Sequence, residues 1–111
     1  MFKITVSSSF TASHWHDKSL NEPAHQHHFK YSVSLKGPLN DEGYLADFRQ
    51  LEALLAQINA GLENRLLNDI FKYPTTENIS YYIFTEVKKH FPQTAEVIVH
   101  EKENYSASYA G

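Results

Sequence analysis

The chain has 111 residues, a formal net charge of −3, a pI near 6.1 and no cysteine. The missing cysteines exclude disulfides, thiolate metal ligands and a cysteine nucleophile, and the scattered lysines argue against a nucleic-acid surface. No apolar run is long enough to span a bilayer, and the alternating, Lys3-bearing start is unlike a signal peptide, so the expectation is one cytoplasmic domain over residues 1–111.

Phe2, Ile4 and Val6 alternate with Lys3, Thr5 and Ser7, which predicts a half-buried strand. From Thr11 to Ala24 the pattern lapses, and Asp17, Asn21 and Pro23 predict a loop. Alternation returns at His25. His27, Phe29, Tyr31, Val33 and Leu35 fall on one face; His28, Lys30, Ser32, Ser34 and Lys36 fall on the other. Gly37-Pro38 ends this strand.

Leu45, Phe48, Leu51, Leu54, Leu55 and Ile58 then recur at helical spacing, with Asp47 near the start and Gly61 after the end. Residues 62–71 form a mixed connector. Thr75 predicts an N-cap for a second helix, with Glu77 at the positive end of its dipole and Ile79, Tyr82, Ile83 and Val87 as its apolar stripe. Phe91-Pro92 stops it. Ala95, Val97, Val99 and Glu101 predict a third strand, and Tyr105, Ala107 and Tyr109 a short fourth. Two strands, two helices and two strands fit an α+β fold: an antiparallel four-stranded sheet with both helices on one face.

Five of the seven histidines fall between His14 and His28. His25 and His27 are two apart on a strand, so both imidazoles point to the same side. A third from His14 would complete a three-histidine set, the usual protein share of a catalytic zinc site. His14 with His16, with His28 nearby, is a rival set. The bland alternative is histidines that merely pack or hydrogen-bond.

Several short motifs occur in register along the chain: Phe10-Thr11-Ala12-Ser13-His14, His25-Gln26-His27, Asp47-Phe48, Pro74-Thr75-Thr76-Glu77-Asn78, and Glu101 followed by Tyr109. In this order and spacing the chain resembles the 6-pyruvoyltetrahydropterin synthase and 6-carboxytetrahydropterin synthase family over nearly its whole length. The resemblance implies the tunnelling fold (ββααββ), a homo-oligomer that is usually a hexamer, and Zn2+ held by His14, His25 and His27. It implies a small-molecule pterin substrate, 7,8-dihydroneopterin triphosphate, with Glu101 anchoring the ring and Thr75 beside the same ring edge. A carboxylate suits that role, since it can accept two parallel hydrogen bonds from the 2-amino group and N3–H.

The chain also departs from the family. The common catalytic cysteine falls at Asn21. One step later, Glu22-Pro23-Ala24-His25-Gln26-His27 resembles the E-x-x-H-x-H pattern of members that form 6-hydroxymethyl-7,8-dihydropterin. The family's Asp-His pair falls at Glu63-Asn64, and Gln26 replaces a glycine between the ligands. With Glu22 as acid or base, the expected reaction is side-chain cleavage to the hydroxymethyl pterin. The alternatives are 6-carboxy- or 6-pyruvoyl-tetrahydropterin synthesis, and an inactive homologue that binds zinc and pterin without turnover.

Overall fold

The computed structural model describes residues 1–16 and 22–111. Its elements are β1 (Phe2–His14), β2 (His25–Gly37), α1 (Phe48–Leu62), a 3-10 turn (Leu67–Asp69), α2 (Thr76–Lys88), β3 (Thr94–Lys102) and β4 (Tyr105–Tyr109). The strands form one antiparallel sheet in the order β1-β2-β3-β4. Helix α1 lies against β1, and α2 against β3 and β4. This is the expected α+β arrangement.

The first strand runs further than the sequence suggests. Residues 11–14, read as the start of a loop, continue β1 and pair with His28 through His25. Phe10, Ala12 and His14 keep the alternation and are buried. Phe10 stacks on Phe29 of β2 with ring centroids 5.1 Å apart. Aromatic burial of this kind holds the end of the strand down. The run Ser7-Ser8-Ser9, with Thr11 and Ser13, hides the pattern because neither face carries strong contrast.

Both helices start where their caps predict. Asp47 accepts a hydrogen bond from the backbone N–H of Arg49, and Thr75 from that of Asn78. Gly61 lies inside the last turn of α1 rather than beyond it. Leu51, Leu55, Ile58 and Leu62 bury one stripe of α1; Ile79, Ile83, Phe84 and Val87 bury one of α2. They pack on Phe29, Val33, Leu35, Val97 and Val99 from the sheet. Phe48, counted in the apolar stripe of the first helix, is half exposed at its start.

A partly buried polar link ties the sheet to α1. The Tyr31 hydroxyl donates to Asn59 Oδ1 at 2.6 Å, and Asn59 Nδ2 donates to Ser8 Oγ at 2.7 Å. Burial pushes the Tyr31 phenol up to about 12, partly offset by hydrogen bonding to Ser8 and Asn59. A folded-state value above the ordinary 10 contributes stability that is intact below pH 10 and lost as pH rises towards 12. Tyr31→Phe is therefore expected to cost about 1 kcal/mol at neutral pH. It should also flatten the loss of stability between pH 10 and 12, as urea melts at several pH values would show.

Candidate functional site

Three strand ends meet at one end of the sheet. His14 closes β1, His27 lies near the start of β2 and Glu101 near the end of β3. The strand register sets His14 opposite His25. Phe29 packs under the cluster, with its ring centroid 5.5 Å from that of His14 and 5.8 Å from that of His27. The metal-binding atoms of His14, His27 and Glu101 all lie within 4.8 Å of one another. His16, at the rim, reaches the same carboxylate, its Nε2 3.8 Å from Glu101 Oε1. The rings of His14, His16, His25 and His27 line a concavity of about 210 Å3 with Glu101 and Lys102.

His14 is fully buried. Its Nδ1 donates to the carbonyl of Pro74 at 2.9 Å, because a carbonyl can only accept. In the neutral ring, Nε2 then carries the lone pair. That atom is buried, makes no hydrogen bond, and lies 2.8 Å from Glu101 Oε1. Two electron-rich atoms at that separation repel unless positive charge stands with them. A proton or a divalent cation supplies that charge, and the three convergent donors of His14, His27 and Glu101 fit the cation. The donor set also has the usual supporting arrangement, in which a ligating imidazole gives its other N–H to a backbone carbonyl. Burial holds the His27 imidazole below its ordinary value; nearby Glu101 opposes this, while His14, Lys102 and His25 reinforce it. A lowered His27 stays neutral near pH 7, the form that can ligate.

His25 is turned differently. Its Nε2 lies 2.9 Å from Glu22 Oε1, and Glu22 Oε2 accepts from the backbone N–H of His16 at 3.2 Å. So the structure gathers His14, His27 and Glu101, and pairs His25 with Glu22 at the edge of the same cleft. Thr75 serves as the N-cap of α2 through its hydroxyl. The preceding carbonyl, that of Pro74, is the group that holds His14. Asn21, the position of the family's cysteine, lies outside the described residues.

The connector after α1 clasps the end of β1. Asn64 adopts a φ of 57°, a left-handed conformation that asparagine tolerates. Its N–H donates to the Thr11 carbonyl, and the Thr11 N–H donates to Glu63 Oε2. Ser13 N–H donates to the Arg65 carbonyl. Asn68 closes the clasp, accepting from Trp15 N–H and donating to the Trp15 carbonyl, both at 3.0 Å. Glu63 and Asn64, at the family's Asp-His positions, thus act on the backbone that carries His14. Asn68→Ala should loosen this segment, costing about 1–2 kcal/mol. Faster amide exchange confined to residues 11–16 would report it.

Known proteins share this sequence and this fold. The model of the 6-pyruvoyl tetrahydropterin synthase family matches residues 3–111. A provisionally named 6-carboxy-5,6,7,8-tetrahydropterin synthase of Archaeoglobus fulgidus is 33% identical over 104 residues, covering 91% of this chain and 89% of its own. The dihydroneopterin monophosphate aldolase of Pyrococcus furiosus is 33% identical over 90 residues, covering 81% of this chain and 78% of its own. Among solved structures, the Caenorhabditis elegans 6-pyruvoyl tetrahydropterin synthase superposes with a TM-score of 0.88 at 21% identity, over 99% of this chain and 95% of that one. The Plasmodium vivax enzyme of the same name gives 0.80 at 19% identity, over 97% and 96%. Those two show the shared fold. With the match running almost end to end and two relatives at a third identity, the chain belongs to the 6-pyruvoyl tetrahydropterin synthase family.

Proposed function

We propose that this chain is a zinc-dependent pterin lyase that cleaves the side chain of 7,8-dihydroneopterin triphosphate to 6-hydroxymethyl-7,8-dihydropterin. The observation that carries this reading is Glu22. A carboxylate, rather than a thiol, stands at the rim of the histidine cleft, oriented by His25 and the His16 backbone. The aldolase name of the Pyrococcus furiosus relative supports bond cleavage.

In this reading His14, His25 and His27 hold the zinc. When bound, it supplies Lewis-acid polarisation that makes a substrate hydroxyl easier to deprotonate. The rest falls to the protein. Glu101 accepts the 2-amino and N3–H edge of the pterin and fixes the ring. Glu22 takes the proton of the outer side-chain hydroxyl. The bond between the two hydroxyl-bearing carbons breaks, its electrons passing into the ring's C=N system, and the outer carbon leaves as an aldehyde. Glu22 then returns the same proton to the carbon still attached to the ring. One carboxylate suffices, because it ends as it began. A 6-pyruvoyl product needs several proton shifts along the side chain, and position 64 offers an asparagine where the family has histidine.

The Archaeoglobus fulgidus relative favours a second reading, 6-carboxytetrahydropterin synthesis. Incubating zinc-loaded protein with the triphosphate separates the two. Hydroxymethyl pterin is expected, whereas a carboxy or pyruvoyl product would replace the proposed reaction, and no turnover under any metal would leave a binding protein. Stripping the metal with a chelator should abolish turnover, and restoring zinc should recover it.

Two variants separate the proposed roles of His25 and Glu101. His25→Ala should weaken zinc binding by tenfold to a hundredfold or more, on the order of what even indirect support of a metal site is worth. Glu101→Gln should retain zinc and lose pterin binding. If instead Glu101→Gln loses the metal and His25→Ala keeps it, the carboxylate is the third ligand.

A further inference from the structure

The face of the sheet turned away from the helices carries a second cluster. Lys30 of β2 stands directly opposite His100 of β3. His28, Lys30, His100, Lys102 and the carboxylate-bearing Glu103 line a concavity of about 410 Å3. An adjoining concavity of about 400 Å3 adds the side of β1, where Ser7 and Ser9 join Ser32, Lys30 and His100. No carboxylate lies within ion-pair distance of Lys30 or Lys102 among the described residues. Lys30 brings a positive charge and the His100 imidazole opposite it a further hydrogen-bonding group. Juxtaposition alone does not set this pair apart, since Lys3 and Lys36 also face each other across β1 and β2. What distinguishes the Lys30–His100 pair is a concave setting with three serine hydroxyls beside it.

We propose that His28, Lys30, His100 and Lys102 form a phosphoryl-binding site, with the serine hydroxyls as further donors. A phosphate ester or polyphosphate matches this chemistry: several acceptor oxygens and more than one negative charge, met by charge-assisted hydrogen bonds. By strand alternation the site lies on the opposite face of the sheet from His14 and His27. Lys102, beside the pairing irregularity at the end of β3, borders both concavities. The phosphoryl group can therefore belong to a separate anion or to the tail of a ligand seated in the histidine cleft.

The test is an NMR titration of the full chain with inorganic triphosphate at constant ionic strength. Saturable shifts are expected at residues 28–32 and 98–102. Lys30→Gln should weaken binding about tenfold or more, the loss of one charge-assisted contact, while Lys36→Gln on the same strand and face leaves it unchanged. The spectrum of each variant verifies its fold, and His100→Asn provides a second probe. Absence of saturable binding, equal weakening by Lys36→Gln, or shifts confined to His14 and His27 would overturn the proposal. Repeating the titration with dihydroneopterin and its triphosphate distinguishes the sources. Tighter binding of the phosphorylated pterin, lost in Lys30→Gln, assigns the site to the ligand's own tail. Additive, independent binding of pterin and triphosphate assigns it to a separate anion. Because triphosphate alone is the probe, the result stands whichever pterin reaction the protein performs.

Discussion

His14→Ala is expected to release the metal and lower turnover by about a thousandfold or more. A catalytic cation is worth several kcal/mol at the transition state, and each 1.36 kcal/mol is a factor of ten. His14 is fully buried, its Nδ1 already committed to the Pro74 carbonyl and its Nε2 aimed at Glu101 without a hydrogen bond. The variant also leaves a cavity beside Phe29, which should lower the melting temperature by a few degrees for each kcal/mol lost. His27→Ala, at a partly exposed position, removes a ligand with less damage to the core. If both variants keep stoichiometric zinc and normal turnover, the cluster is structural. Metal content by elemental analysis, measured beside turnover, distinguishes loss of the ion from loss of the fold.

The second large effect is at Glu22. Glu22→Gln should lower kcat by about a hundredfold to ten-thousandfold, the usual worth of a positioned acid or base. Zinc content and KM should hardly move, because the proposed role of the carboxylate is in the proton transfers and not in holding metal or ring. Glutamine retains an oxygen that can accept from the His16 N–H, so the rim geometry should persist. A parallel loss of zinc would show that Glu22 acts through His25, its partner at 2.9 Å. Full activity would remove the retro-aldol scheme altogether.

Much of this architecture is legible in the sequence. The alternation of His27 through Leu35 places one face on the core, and that face is the one the helices cover. The Asp47 and Thr75 caps mark helix starts that the structure confirms. The end of β1 is less legible. Serine and threonine carry too little hydropathy contrast to announce a strand, and only Phe10, Ala12 and His14 keep its period.

The histidine cleft divides in the same way. Strand parity places His25 and His27 on one side, yet parity does not say that His25 turns to Glu22 while His27 turns to Glu101. The hold on His14 comes from the main chain of Pro74, a backbone group with no side-chain signature. Glu63 and Asn64 read as positions where a family pair is missing. Their hydrogen bonds to Thr11 give them work that only the folded chain reveals.

The most direct test is a crystal of protein purified with zinc, measured at the zinc absorption edge. One strong anomalous peak per chain is expected at bonding distance, about 2.0–2.1 Å, from His14 Nε2, with His27 also in the coordination sphere. A cleft without anomalous density at full zinc loading, or a peak bound elsewhere, would contradict the proposed zinc site.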